Sequence, residues 1–485
     1  MPPGNDSLAV FLSGGTSRSY GASPGAAWHR HRAVVLAVVL WCGSCAGRMV
    51  HGGRHGAVMW LVLAGAAVAL RHRRIAVVPV LLLGIVGGAR EWSAPQVAPS
   101  GCRGTVRVVS DPQMFGAATV VVLDTGSARV RAQGYGSAGS RLSRLAAGQR
   151  VHVGGTCGPV AADRRPRDLV SHVTGRMSVE TVGESVDDGG ILWRGANRMR
   201  ALLVRGTRHM PADDAALFTG LVIGDDRNQP RRMVEDFRAS GLSHLCSVSG
   251  QNVVYVMAAF SVFLRRLRPA ARLLATLAVI GWFVVLTRAE PSVLRAAAMA
   301  VVVAVNFFRG RPANARVVLA VSVGALLLVD PMLAYSIGFA LSTGATAGLA
   351  WLAHPLARRF RIPAVLAATV AAQLGTLPVA LFVFRRVSIV SLVANPLAVP
   401  VAGVVMLVGI PCALVAGLAP GAVAASVEWA LVVPTRFVAV VASVCARVAP
   451  HGTAGLLCWA SLSVAACARW WVTRPSGRVG AWPPT

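Results

Sequence analysis

The chain has 485 residues; 55% are apolar, 14% are charged, and 48 basic residues face 19 acidic ones for a net charge of +29. This excludes a disordered chain, which is short of apolar residues, and the long apolar runs exclude an ordinary basic soluble domain, which is about 25% charged. With a mean hydropathy of +0.60, a polytopic membrane protein fits best. All 48 basic residues are arginine. The lack of lysine rules out a Walker A loop, a kinase lysine and a Schiff base. Energy from nucleotide hydrolysis must therefore come from another chain.

Residues 1–32 are rich in Gly, Ser and Pro and read as a disordered cytoplasmic N-terminus. They are no cleavable signal, because the first apolar run is followed directly by others. Residues 33–89 hold candidate spans at 33–50, 56–70 and 75–89. The basic N-terminus and Arg71, Arg73 and Arg74 place both of those segments in the cytoplasm. The third span then leaves the membrane on the outer side. Cys42 and Cys45 form a C-x-x-C inside an apolar helix, where cysteine is usually a small core residue.

The next segment, residues 90–190, is nearly balanced, with eleven Arg against nine acids over 91–190. Val-rich alternating runs at 105–110, 118–124, 128–132, 150–153 and 172–181 predict five short strands between Gly-rich turns. That pattern predicts a small extracytoplasmic β domain, OB-fold-like. Phe115 and Tyr135 are its candidate base-stacking residues. A scaffold or docking domain is the other reading. Cys102 and Cys157 are the two cysteines of this domain and could pair in an oxidising compartment.

Residues 191–242 read as amphipathic helices. Ile191, Leu192, Ala196, Met199, Leu202 and Leu203 recur at helical spacing with Arg at other positions. Gly224-Asp225-Asp226 ends a second helix and Pro230 starts a third. Residues 243–470 carry spans near 244–264, 270–287, 291–308, 317–329, 333–352, 363–384, 388–418 (broken), 422–446 and 453–470, followed by a tail at 471–485. The chain thus reads as a polytopic α-helical membrane protein with about 10–12 transmembrane helices. Arg265/Arg266/Arg268, Arg309/Arg311/Arg316 and Arg358/Arg359/Arg361 fall on alternate loops, all cytoplasmic if Ser243 starts outside. Arg385 and Arg386 fall on the outer side against this rule, and Glu428 and Arg436 suit an in-plane helix as well as a span.

The stretch 218–257 resembles the signature of the ComEC family of competence proteins. The matching pieces are Gly224-Asp225, Gly241-Leu242-Ser243-His244-Leu245 and Ser249-Gly250. Further pieces follow in the family's order: Pro291-Ser292-Val293-Leu294-Arg295-Ala296, Asp330-Pro331 with Gly338-Phe339-Ala340-Leu341-Ser342, Gln373-Leu374-Gly375-Thr376-Leu377-Pro378, and Asn395-Pro396-Leu397-Ala398-Val399-Pro400. The resemblance implies a channel in the cell inner (plasma) membrane that takes up single-stranded DNA during natural transformation. It departs from the family in two places. Asn252 stands where a second His is frequent, and no H-x-H-x-D-H cluster occurs among the eleven His. The metallo-β-lactamase-like domain that many members carry is thus not expected, and neither is an enzymatic activity.

Polar residues inside a membrane are costly and often functional. His244, Ser247, Ser249, Gly250, Gln251 and Asn252 surround the start of one span. They form either a constriction or gate, or hydrogen bonds that only hold the bundle. Arg295 is placed either to contact a phosphate or to pair with Glu290 or Asp330. Asn395, Pro396 and Pro400 either break a helix beside a cavity or kink it. No cofactor or metal is expected. The expected partners are single-stranded DNA, membrane lipids, a separate cytoplasmic motor, and a separate DNA receptor or nuclease. Two other functions compete: a transporter of small anionic or lipid-like substrates, and an intramembrane hydrolase using Ser247 or Ser249 with His244.

Overall fold

The computed structural model describes residues 24–51, 77–246, 250–384 and 388–449. Two helices, α1 (Pro24–His51) and α2 (Val77–Trp92), lead into the β domain. Glycine pairs four apart draw them together. A Cβ on Gly47 would lie 2.4 Å from the Ala89 amide, and one on Gly88 would lie 2.4 Å from the Ser44 carbonyl. Close backbone approach through small residues replaces the hydrophobic effect, which is weak between helices in lipid. Gly43 faces Gly84 and Gly47 faces Gly88, so the two helices run in the same direction. The expected span at 56–70 lies outside the described residues.

The β domain contains β1 (Ser100–Val108), β2 (Gln113–Phe115), β3 (Ala118–Asp124), β4 (Arg129–Tyr135), β5 (Arg150–Pro159) and β6 (Val173–Asp187). Short helices α3 (Gly136–Leu142) and α4 (Arg165–Leu169) follow β4 and β5. The sheet order is β1-β5-β6-β4-β3-β2, with an additional β1–β3 pairing. All pairs are antiparallel except β4–β6. The β1–β3 seam has only the residue pairs Arg107↔Asp124 and Val108↔Leu123, extended by hydrogen bonds that join Val122 to Val109 and Ser110, so the sheet closes loosely. Alternation places Val108, Val121, Leu123, Val130, Ala132 and Val151 inside. Cys102 and Cys157 form a disulfide across β1 and β5, with Cα atoms 5.8 Å apart.

Next come α5 (Ile191–Arg205), α6 (Ala212–Ile223) and α7 (Arg231–Ala239). Gly224 ends α6 in the left-handed conformation, φ 68°, which glycine adopts without steric cost. The buried stripe of α5 is Ala196, Arg200 and Leu203, so one arginine lies on the inner face where only apolar residues were expected.

The mostly apolar remainder comprises α8 (Gly250–Leu264), α9 (Pro269–Leu286), α10 (Pro291–Phe308), α11 (Ala315–Val329), α12 (Ile337–Gly348), α13 (His354–Phe360), α14 (Ala364–Phe384), α15 (Ser391–Leu418) and α16 (Gly421–Arg447). Among the described residues six helices are long and apolar enough to cross a membrane: the 32–50 part of α1, and α9, α10, α14, α15 and α16. The apolar helices α8 and α11 have only 15 residues each. The expected span at 333–352 is divided into a 3₁₀ turn at Pro331–Tyr335, α12, and a π segment at Leu349–Ala353. Asp330 and Ser336 divide it by capping the turn and the helix. The expected break in 388–418 does not occur: α15 is continuous with Pro396, Pro400 and Pro411 inside it. Its small buried residues pack close to neighbouring helices, and such surroundings tolerate proline in membrane helices. The expected span at 453–470 lies outside the described residues.

Two charges inside α16, Glu428 and Arg436, are met from within the protein. Glu428 is fully buried and accepts hydrogen bonds from the His209 amide at 2.5 Å and from its Nδ1 at 3.1 Å. Arg436 Nη2 lies 2.5 Å from Asp214 Oδ2 on α6. Helices α12 and α14 cross on glycines: a Cβ on Gly375 would lie 2.1 Å from the Gly344 carbonyl. Gly375→Val therefore forces the backbones apart and should lower stability by about 2 kcal/mol or more. Gly281→Val, on α9 with no atom within 4 Å of its added Cβ, should change little. Thermal unfolding in detergent distinguishes the two.

Candidate functional site

Three of the sequence motifs meet at one guanidinium. Arg295 lies in the second turn of α10 and is 7% exposed. Its Nε donates to Ser342 Oγ on α12 at 2.8 Å, and its Nη1 lies 3.0 Å from Met299 Sδ. The start of α8 rests on it: a Cβ on Gly250 would lie 2.9 Å from Arg295 Nη2 and 3.0 Å from the Ala296 Cβ. A side chain at this position would have to push the guanidinium aside. Neither expected carboxylate partner is used, and among the described residues no carboxylate lies within 4.0 Å of Arg295. A buried cation without a counter-charge is costly, so the arrangement favours an anion.

Asn252 is 3% exposed and donates from Nδ2 to the Leu221 carbonyl at 3.0 Å, joining α8 to α6. That is the bundle-holding role considered for it. With Gln251, Tyr255 and Gly403 it lines a cavity of about 10 Å³, room for one water. Helices α8 and α15 therefore stand closed against each other here.

Another polar group sits between α12, α14 and α15. Gln373 donates to Ser391, and Ser391 donates to the Ser388 carbonyl at 2.6 Å. Gly241, at φ 78°, lies against both serines. The side-chain oxygens of Thr343, Gln373 and Asn395 are buried and have no hydrogen-bond partner among the described residues. Such orphan acceptors need an explanation, and an unseen water or ligand donor is the usual one. Pro378 and Pro396 both lie inside their helices.

The remaining expected residues are dispersed. His244 is exposed on a 3₁₀ turn, Ser243–Leu245. Ser247 and Ser249 lie outside the described residues. Asp330 accepts from the Met332 amide at 2.9 Å and holds His172 of the β domain at 3.1 Å. Phe339 is fully buried and stacks on Trp41 with ring centroids 5.3 Å apart. Phe115 and Tyr135 are exposed. Among the described residues no group of three or more His, Cys, Asp or Glu is placed to hold a metal ion.

Sequence reasoning missed a charge cluster at the junction of the β domain and the membrane helices. Asp111, between β1 and β2, receives Arg288 Nε at 3.1 Å and Nη2 at 3.0 Å, while Arg200 Nη2 lies 3.2 Å away. Arg200 also donates to the Ile223 carbonyl at 2.9 Å and the Leu286 carbonyl at 3.1 Å. Its Nη2 lies 3.6 Å from Asp225, which Arg227 clasps through two hydrogen bonds. Asp225 of the Gly-Asp motif thus fixes arginines at the end of α6. The available signal was the spacing of Arg200, four after Ala196 and three before Leu203 on one helical face.

These contacts respond to pH in opposite senses. Burial alone would raise the Asp111 carboxyl, but Arg200 and Arg288 hold it below its ordinary value. Its contribution is present above the ordinary carboxylate range and is lost as pH falls through its lowered value. The Asp330 hydrogen bond raises the His172 imidazole; burial and Arg129 oppose this, and the charges of Asp330 and Glu91 add to it. Its contribution is complete below about pH 6.5 and is lost as pH rises through the raised value. Docking of the β domain should therefore weaken on both sides of a mildly acidic optimum. Hydrogen exchange at the amides of 332–335, corrected for intrinsic rates, should show the alkaline loss in the native chain and none in His172→Gln. An unchanged alkaline limb in His172→Gln would show that the imidazole is not its source.

The Competence protein family matches residues 221–475, which hold every element just described except the β domain, α1, α2, α5 and most of α6. ComE operon protein 3 of Bacillus subtilis (strain 168) is 30% identical over 197 residues, or 39% of this chain and 25% of that relative. The chain thus matches a quarter of that relative's length. No solved structure matches the chain. With more than half of its residues in the family match and the motifs in order, the chain belongs to the ComEC family of competence proteins.

Proposed function

We propose that this chain is an inner-membrane channel that takes single-stranded DNA from outside the cell to the cytoplasm during natural transformation. The observation that carries this reading is the convergence of three family motifs on Arg295, a buried guanidinium with no carboxylate beside it. Arg suits a phosphodiester, because its fork of donors matches the phosphate oxygens. The orphan acceptor oxygens of Thr343, Gln373 and Asn395 suit donors on unstacked bases or water carried with the strand.

The β domain lies outside the cytoplasm in this reading. Its disulfide belongs to an oxidising compartment. Arg288 and Asp330, at the far ends of α9 and α11, touch it. The Arg265–Arg268, Arg309–Arg316 and Arg358–Arg361 clusters lie at the opposite ends of those helices and their neighbours, as cytoplasmic loops should. We read the domain as OB-like. Its five longer strands follow one another around the sheet as β1-β3-β4-β6-β5, with β4 and β6 parallel and α3 between β4 and β5. Exposed Phe115 and Tyr135 supply faces on which bases stack. The channel performs no chemistry on the strand. A separate cytoplasmic motor pulls it, and a separate receptor or nuclease delivers it.

The second reading, a transporter of small anions, needs a smaller opening than a strand does at the cavity of about 10 Å³ beside Asn252, which holds one water. A channel requires α8 and α15 to part there. Uptake of labelled DNA decides between the readings. A deletion strain should internalise none, and Arg295→Ala should reduce uptake at least tenfold at equal membrane abundance, with Arg295→Lys intermediate. Normal internalisation in the deletion strain would sink the channel. The topology is tested with Ser127→Cys, an exposed β-domain position. A membrane-impermeant maleimide should label it in intact cells and should not label Arg266→Cys.

A further inference from the structure

A cleft of about 260 Å³ separates the β domain from α5 and the end of α9. Four guanidinium groups line it, those of Arg144, Arg200, Arg227 and Arg288, against the two carboxylates of Asp111 and Asp225. Arg200 is committed to the walls, through two carbonyls and both carboxylates. Arg227 gives Nε and Nη2 to Asp225, which leaves Nη1 for another acceptor. Arg288 gives Nε and Nη2 to Asp111 and Asn197. Arg144 is exposed at the rim and forms no ion pair among the described residues. The carboxylates therefore fix the inner arginines and leave positive charge in excess, which favours an anion over a metal ion.

We infer that this cleft binds a phosphodiester of the incoming single strand, held by Arg144 and Arg227 and admitted by the excess charge around Arg200 and Arg288; the inference rests on the DNA-channel reading above. The cleft takes a phosphate with its sugar; the fork of Arg144 and the remaining Nη1 of Arg227 meet the two free phosphate oxygens. Protein contacts link it to the Arg295 site. Asp225 and Arg227 follow α6, the Leu221 carbonyl of α6 receives Asn252, and Gly250 two residues earlier rests on Arg295. The cleft lies beside residues 143–146 that follow α3, apart from exposed Phe115.

The test is oligothymidylate binding to the full chain in phosphatidylcholine nanodiscs, read by fluorescence anisotropy over a range of salt. Arg144→Glu should weaken binding about tenfold and make the salt slope shallower by about one phosphate contact. Arg144→Lys should stay near the native value, and so should Arg176→Glu, an exposed β-domain arginine that does not line the cleft. Equal losses in Arg144→Glu and Arg176→Glu would make the effect one of general charge and overturn the site. Unchanged binding in Arg144→Glu would overturn the cleft alone. No binding by the native chain would overturn the cleft together with the DNA reading. If Arg144→Glu keeps its DNA affinity but loses co-purified phosphatidylglycerol, the cleft is a lipid headgroup site and the inference fails.

Discussion

The β domain is tied to the membrane helices by buried charge pairing centred on Asp111, with the His172–Asp330 contact as a second tie. Asp111 gathers Arg200 from α5 and Arg288 from the end of α9, and both arginines are nearly withdrawn from solvent. In such surroundings, removing one partner leaves an uncompensated charge at a cost of about 3–5 kcal/mol. The cluster therefore acts as a unit. Arg200 extends it by capping the carbonyl ends of α6 and α9, where the helix dipole also favours a cation. The backbone at Arg288 and Ala289 is left-handed, φ 59° and 54°. Neither residue is glycine, so the turn is strained, and the Asp111 clasp helps to hold it.

The membrane half is organised by the absence of side chains as much as by their presence. Gly43, Gly47, Gly84 and Gly88 join α1 to α2, and Gly344, Gly348 and Gly375 join α12 to α14. Gly250 serves a different end, admitting α8 to the Arg295 guanidinium. Polar groups then complete what small residues allow. Tyr335 reaches from the 3₁₀ turn to the Cys45 carbonyl of α1 at 2.7 Å and stacks edge-on against Trp92 with centroids 5.2 Å apart. The end of α1, the end of α2 and the turn after α11 are thereby fixed together beneath the β domain.

Much of this was legible in the sequence because its causes are local. Alternating Val runs fixed the positions of most strands, and Gly224 and Pro230 marked where α6 stops and α7 begins. The order of the motifs identified the family. What was not legible depends on contacts distant in the chain. Nothing near Asp111 shows that it will meet Arg288, 177 residues later. Arg200 resembled any solvent-facing arginine until its helical phase was set against its apolar neighbours. The prolines of α15 read as breaks because their neighbours were unknown; packing carries the helix through them. Asp330 and Arg295 were possible partners by charge alone, yet Asp330 turns to His172 and Arg295 to Ser342.

The two edges of β1 are joined in very different ways. On one side it pairs with β5 from Ser100 to Arg107 and is covalently tied to it through Cys102–Cys157. On the other it meets β3 at two residue pairs, with the exposed Arg107–Asp124 bridge at 2.9 Å. The domain is thus built like a clasp, with a permanent rivet on one edge and a light catch on the other. The chain just beyond that catch carries Asp111. Loosening the catch would reach the membrane helices through a single residue, without disturbing the riveted edge.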